Sequence, residues 1–158
     1  MADTPTLPQP ELEFVFEIRV ETVKEIPVRT TPGNEFGFIG ITGGTVAGPR
    51  FTGTVLPNSG GDWASHIGDT WHLDARYALQ HDDGTVVEIW NKGYFRATPE
   101  QERRMFAGER VPEQEYYYRC APTFSTDTPQ HRWLSQHQFI GMLRDDAGTI
   151  CIRVFLLR

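Results

Sequence analysis

Asp74 and Arg76 are separated by one residue, in a segment whose apolar and polar side chains alternate as in a β-strand. Over residues 71–79 the side chains of His72, Asp74 and Arg76 fall on one face. A carboxylate beside a guanidinium can carry a proton and hold an anionic oxygen, and both abilities serve general acid/base chemistry. Asp74 and Arg76 are therefore the candidate catalytic pair.

The direction in which this pair points decides its role. Facing solvent, Asp74 and Arg76 form an ordinary surface ion pair worth well under ~1 kcal/mol, while Trp71 and Tyr77 on the opposite face join the core. Facing inward, they line a barrel interior, and another chain or layer covers the aromatic face. A lining of aromatic walls with a few polar groups is typical of small-molecule sites. Residue types alone favour the solvent-facing alternative.

Short β-segments separated by turns must position these residues. Residues 11–23 alternate apolar and polar side chains with a period of two, which indicates a half-buried strand. Closure of such strands removes the exposed edges that invite aggregation. The pattern predicts an all-β fold, a single antiparallel β-barrel of about eight strands. The other segments predicted to be strands are residues 36–42, 50–56, 71–79, 85–91, 115–121, 132–143 and 149–157.

One short peripheral helix is predicted after residue 98. Thr98 precedes Pro99 and stands three residues before Gln101, a capping-box pattern, and Gly108 suits the position just past the helix end. The proline-rich residues 1–10 are predicted to be a disordered lead-in, and residues 11–158 a single barrel domain.

Composition argues against several function classes. The 158 residues include 15 basic and 21 acidic ones, giving a net charge of −6, and Lys and Arg are not clustered. Nucleic acid and anionic membrane surfaces are therefore not expected partners. The sequence shows neither a signal peptide nor about 18 consecutive apolar residues, so a cytoplasmic location is expected.

Known cofactor motifs are missing from the sequence. The five histidines form no HxH or HExxH pattern and do not pair with Cys120 or Cys151 at zinc spacing, so no metal is expected. No phosphate-binding glycine motif and no GxSxG nucleophile elbow occurs. Both cysteines fall in apolar runs and are expected to be buried. The sequence therefore predicts no cofactor.

Four ordered motifs carry a family resemblance. They read GGTVAGPRFTGTVLPNSGGDW, LDARYALQHDDGTVV, NKGYF and YYRCAPTFSTDTPQHRWLSQHQFIGML. Over roughly residues 12–157 the chain resembles the small bacterial and fungal proteins of the domain-of-unknown-function 3237 family. The resemblance implies a β-barrel that is often dimeric, so a homodimer is expected, and it assigns no chemistry.

The resemblance favours the inward-facing alternative for Asp74 and Arg76. A recurrent Asp-x-Arg in a strand and an Asp-Trp at a loop are better explained by a shared pocket than by a shared solvent face. We therefore expect Asp74 and Arg76 to be catalytic, with a substrate held by Asp62, Trp63, His72, Asn91, Tyr118, Arg119, Phe124 and Trp133.

Two functions fit such a pocket. The first is a cofactor-independent acid/base enzyme, an isomerase, cyclase, dehydratase or lyase acting on a hydrophobic or aromatic carbonyl compound. There Asp74 exchanges the proton and Arg76 or Arg119 holds the anionic oxygen. The alternative is a non-catalytic protein that binds a small hydrophobic ligand, with Asp74 and Arg76 as a structural ion pair. A dimeric scaffold is a third, purely structural role.

Overall fold

The computed structural model describes residues 6–158 and consists mainly of antiparallel strands. One α-helix and two short 3-10 helices, Glu113–Glu115 and Pro129–Ser135, lie between strands. The main elements are β1 Leu12–Thr22, β2 Ile26–Thr31, β3 Asn34–Ala47, β4 Gly53–Val55, β5 Gly60–Ile67, β6 Thr70–His81, β7 Val86–Arg96, α1 Pro99–Phe106, β8 Tyr117–Ser125, β9 Phe139–Asp146 and β10 Thr149–Leu157.

The strands close into an eight-position antiparallel barrel, which confirms the predicted fold class. Neighbours follow the order β1, β10, β9, β8, β7 and β6, and β3 returns to pair with β1. The consecutive strands β4 and β5 share one position, because each pairs with both β3 and β6. Strand β2 extends β3 as a hairpin outside the ring.

One end of the barrel is filled by large apolar side chains. Phe16 packs against Phe51 and Phe124 with ring centroids 5.4 and 5.8 Å apart, and Leu79 and Val154 beside them are fully buried. Burial of each such side chain contributes about 1.5–3 kcal/mol. These side chains stabilise the barrel at this filled end. The opposite end, the hollow end, lacks such packing and can hold a cavity.

Helix α1 lies in the β7–β8 connection, at the hollow end. The predicted capping box is present: Thr98 Oγ1 accepts the Gln101 backbone N–H, and the Gln101 side chain accepts the Thr98 N–H. Gly108 has φ +82°, a left-handed conformation that favours glycine, and its N–H donates to the Met105 carbonyl. The helix therefore begins and ends where the sequence indicates.

The strand predicted over residues 132–143 is wrong in its first half. Pro129 opens a 3-10 helix that continues to Ser135, and β9 begins only at Phe139. The helix buries His131 and Leu134 against the filled end of the barrel. The apparent alternation around Trp133 comes from this helical turn.

The predicted disordered lead-in, residues 1–10, lies only partly within the described residues. Residues 1–5 of the predicted lead-in lie outside the described residues, and residues 6–10 are exposed without helix or strand.

Among residues 6–158, helices long and apolar enough to cross a membrane are absent.

Candidate functional site

A cavity of about 240 Å³ occupies the hollow end of the barrel. Its wall is mainly aliphatic and aromatic, with a small set of polar side chains between the apolar ones. Pockets of this composition bind small organic molecules. The lining residues are Val20, Thr22, Glu25, Ile39, Ile41, Asp62, Ala64, Trp71, Leu73, Ala75, Tyr77, Asn91, Phe95, Glu102, Met105, Phe106, Tyr118, Leu143, Asp145, Ile150 and Ile152.

Strand register places Asp62, Ala75 and Asn91 side by side on the inner face. Asp62 of β5 is opposite Ala75 of β6, and Ala75 is opposite Asn91 of β7. Directly opposite residues have Cβ atoms about 4.5–5.5 Å apart, so Asp62 and Asn91 lie about 10 Å from each other. The single methyl group of Ala75 leaves a gap between their polar side chains. A ligand atom in that gap can reach both.

The Asp62 carboxyl is the most perturbed acid of the cavity. Burial raises its pKa from 3.8 to about 6, and the Asp74 charge adds a smaller effect in the same direction. The Asp74 backbone N–H, which donates to Asp62 Oδ1 at 2.8 Å, opposes both. This hydrogen bond forms where the β5–β6 pairing is interrupted at Trp63 and Ala64. A carboxyl with a pKa near 6 can accept and return protons at neutral pH.

Tyr77 and Asn91 present uncommitted polar atoms at the same place. Within residues 6–158, neither the Tyr77 hydroxyl nor Asn91 Oδ1 has a hydrogen-bond partner, although the two residues are only 3% and 5% exposed. A buried polar group without a partner costs about 1–3 kcal/mol. A bound ligand that hydrogen-bonds to these atoms removes that cost.

The cavity tyrosines stay protonated and can therefore donate. Burial raises the pKa of both Tyr77 and Tyr118 above the ordinary value, with the charge of Asp62 adding to the effect. Tyr118 lies beside Phe95, the rings 5.0 Å apart, so the wall next to the polar group is aromatic. The arrangement suits a flat apolar molecule that carries an oxygen.

Helix α1 and the barrel rim form the mouth of the cavity. The helix contributes Glu102, Met105 and Phe106, and burial raises the pKa of Glu102. Glu25 and Asp145 lie on the rim. Among the described residues that line the cavity there are four carboxylic acids and no Lys, Arg or His. The lining therefore disfavours anionic ligands.

The structure places Asp74 and Arg76 on the outer face, so the interior orientation expected for them is wrong. The Asp74 carboxylate accepts the Trp90 indole N–H at 2.6 Å. Arg76 forms an ion pair with Glu88 at 2.9 Å, its side chain 64% exposed. A strand can bury only one face here, and burying the opposite apolar face is far cheaper than burying two charges. Asp74 acts on the site through its backbone N–H and through its carboxylate charge, which raises the pKa of Asp62.

Three further expected ligand-binding residues also lie outside the cavity. Trp63 is 47% exposed and contacts the Phe38 ring at 4.7 Å on the outer face. The ring of His72 meets the edge of Tyr94, and Arg119 donates to the Tyr118 carbonyl. Their strand positions alternate with those of lining residues, so they point away from the interior.

Phe124 and Trp133 lie in and beside the core of the filled end. Phe124 packs on Phe139 with ring centroids 5.1 Å apart, and the Arg50 guanidinium covers the Trp133 ring at 3.9 Å. Of the ten site residues expected from the sequence, Asp62, Asn91 and Tyr118 line the cavity.

Sequence reasoning missed several lining residues. For Trp71 and Tyr77 a signal existed, because the period of two had already placed both on one continuous apolar face. For Phe95 the signal was its position on the same strand as Asn91, four residues on and therefore on the same face. For Glu102 there was none, since only the three-dimensional path of the β7–β8 connection brings α1 over the barrel.

Comparisons with known proteins place the chain in a family. A family model described as "Protein of unknown function (DUF3237)" matches residues 10–157. A UPF0311 protein of Rhodopseudomonas palustris strain TIE-1 is 33% identical over 156 residues, which cover 96% of this chain and 97% of the relative.

Two solved structures are similar in fold. A conserved protein of unknown function from Rhodopseudomonas palustris superposes with a TM-score of 0.87 at 31% identity, covering 97% of this chain and 100% of the other. A protein described as an enzyme from Penicillium herquei superposes with a TM-score of 0.72 at 21% identity, covering 98% and 100%, a likeness of fold. The chain belongs to the DUF3237 family of proteins of unknown function.

Proposed function

We propose that the protein is a cofactor-independent acid/base enzyme that acts on a hydrophobic or aromatic carbonyl compound. The observation that carries this proposal is the Asp62 carboxyl, half-buried in the wall of an apolar cavity with a pKa of about 6. A group with that pKa is mostly ionised at pH 7, yet it holds a proton strongly enough to return it within a catalytic cycle.

The first step of the proposed reaction is removal of a proton next to the carbonyl group. One Asp62 oxygen takes the proton, and the C–H bonding electrons form the enolate double bond while the carbonyl oxygen gains negative charge. The Asp74 backbone N–H keeps the other carboxylate oxygen in place. Return of the proton to another atom of the substrate completes an isomerisation, and loss of a β-substituent completes an elimination.

Neutral donors stabilise the enolate oxygen in this proposal. The Tyr77 hydroxyl is buried, protonated and, within residues 6–158, without another partner, so it can donate to the developing charge. Preorganised donors of this kind account for about 2.7–4 kcal/mol of barrier lowering each. The cations Arg76 and Arg119 that were expected to hold this oxygen lie on the outer face.

The test is hydrogen exchange on a simple ketone. We expect the protein to catalyse exchange of the α-protons of phenylacetone in D2O at pH 7.5, measured by NMR. Asp62→Asn should reduce the exchange to the rate of buffer alone, because the amide cannot accept the proton. Asp74→Asn, the matched change on the outer face, should retain the wild-type rate.

The same experiment separates catalysis from binding. Calorimetry reports whether phenylacetone binds to the wild type and to Asp62→Asn with similar affinity. Binding without exchange in the wild type would contradict the proposal and leave the non-catalytic ligand-binding protein as the better account. Equal exchange by Asp62→Asn and the wild type would remove Asp62 from the reaction.

A further inference from the structure

Two histidines and one aspartate meet at the filled end of the barrel, outside the cavity. His81 ends β6, Asp83 lies in the β6–β7 turn, and His131 comes from the 3-10 helix. His131 Nε2 is 2.8 Å from Asp83 Oδ2, and His81 Nδ1 is 3.1 Å from Asp83 Oδ1. One ligand-type atom from each residue lies within 4.8 Å of the other two.

The three side chains are held in place before any ligand binds. The Thr85 N–H donates to Asp83 Oδ1 at 2.8 Å, and the His81 N–H donates to the Thr85 carbonyl at 2.8 Å. The buried Phe51 ring contacts the His81 and His131 rings at 4.8 and 5.6 Å. His131 itself is only 5% exposed. Such support around ligand side chains raises metal affinity.

The Asp83 carboxylate lies at the centre of the cluster. Each of its oxygens faces an imidazole nitrogen, with Oδ2 opposite His131 Nε2 and Oδ1 opposite His81 Nδ1. The two imidazole rings lie beside each other, with their centroids 4.3 Å apart. A metal ion that replaces the protons shared in these contacts can be bound by the same nitrogen and carboxylate atoms.

We propose that His81, Asp83 and His131 bind a divalent transition-metal ion such as Zn²⁺. Imidazole nitrogens with a carboxylate oxygen are a donor set that such ions prefer, and three protein ligands leave a further position for water. Asp83 is partly exposed, which gives the ion access from solvent. The sequence showed no motif, because His131 is 48 residues from Asp83 and approaches only through the fold.

The bound ion would act as a clip at the filled end. It joins the β6–β7 turn to the 3-10 helix, two segments that are otherwise held by the His131–Asp83 hydrogen bond and by apolar packing. Because the unfolded chain lacks this arrangement, binding stabilises the folded state. None of the three ligands lines the described cavity, so this inference does not depend on the proposed enzymatic function.

The experiment uses the full chain without an affinity tag, treated with a chelator and then titrated with ZnCl2. We expect one Zn²⁺ per chain by calorimetry and a rise in Tm, with MgCl2 giving neither. Asp83→Asn and His81→Gln should each weaken Zn²⁺ binding by about tenfold or more. Asp82→Asn in the same turn and His137→Gln on the surface are the controls and should bind as the wild type does.

Circular dichroism of each variant without metal confirms that it is folded. Co²⁺ in place of Zn²⁺ should give visible absorption bands that Asp83→Asn loses. Absence of stoichiometric Zn²⁺ binding by the folded wild type would overturn the proposal. Equal losses in the ligand variants and in His137→Gln would also overturn it, since binding would then belong to scattered surface histidines.

Discussion

Replacement of Asp62 by Asn is expected to stabilise the protein above pH 6 and to leave its stability nearly unchanged at pH 4. The amide has nearly the same shape as the carboxyl, and its oxygen can still accept the Asp74 N–H that now reaches Asp62 Oδ1 at 2.8 Å. What the change removes is the charge that burial disfavours at this position.

The direction of this change in stability follows from the pKa of Asp62 in the folded and in the unfolded protein. Its pKa is about 6 in the folded protein and near the ordinary 3.8 in the unfolded chain. Between these pH values the folded state binds more protons, so the stability of the wild type falls as pH rises from about 4 to 6. Above pH 6 the whole penalty is present. Below about pH 3 both states are protonated and the penalty disappears, and at pH 4 only a small part of it is present.

The size of the stability change follows from the same two pKa values of Asp62. A difference of about two pKa units corresponds to about 3 kcal/mol of unfolding free energy at pH 8. Asp62→Asn should recover most of it, about 2–3 kcal/mol. In a protein of this size each kcal/mol raises Tm by about 2–4 °C, so Tm should rise by about 4–12 °C.

Urea unfolding followed by tryptophan fluorescence at pH 4, 6 and 8 measures this difference. Asp74→Asn is the control, because its carboxylate lies on the outer face against Trp90. We expect the control to show only a small pH-dependent gain, because the Asp74 charge is the smallest of the three effects on the pKa of Asp62. A gain for Asp62→Asn that is equal at pH 4 and pH 8, or a loss of stability at pH 8, would refute a half-buried Asp62 carboxyl with a raised pKa.

Three further predictions concern the cavity and the outer face. Ala75→Leu should fill the gap between Asp62 and Asn91 and weaken phenylacetone binding about tenfold or more by calorimetry, while circular dichroism stays unchanged; unaltered affinity would place the ligand elsewhere. Phenylacetone should bind at least about tenfold more tightly than phenylacetate above pH 6, because the lining carries carboxylates and, over its described residues, no cation; the reverse preference in calorimetry would contradict this electrostatic account. Arg76→Gln should change unfolding free energy by less than about 1 kcal/mol in urea titrations, since its pair with Glu88 is exposed, and a loss several times larger would mean that the pair is structural.

Local sequence patterns were enough to predict the barrel and its helix. The period of two in residues 11–23 specifies β1. The capping box of Thr98 and Gln101 specifies the start of α1. Each of these signals depends only on neighbours in the chain, so each survives folding unchanged.

The interior face of β6 could not be read from alternation. A period of two shows that Asp74 and Arg76 share a face, and it does not show which face meets the interior. The energetic rule that burying Trp71 and Tyr77 is cheaper than burying a charge pair predicts the observed orientation, whereas the family resemblance favours the opposite one.

The complete site depends on contacts between distant segments. Asp62 and Asn91 meet across Ala75 only through the registers of three strands, and Glu102 reaches the mouth on a helix. His131 joins His81 and Asp83 in the same way. The expected homodimer likewise depends on contacts between the surfaces of two chains. It stays a prediction that native mass spectrometry can check.

The pH dependence of α-proton exchange tests the central claim most directly. We expect the rate constant for phenylacetone exchange to rise with pH, to level off above a midpoint near pH 6, and to fall to the buffer rate in Asp62→Asn. A midpoint near pH 4, or a profile that Asp62→Asn leaves unchanged, would contradict the claim that Asp62 carries the proton.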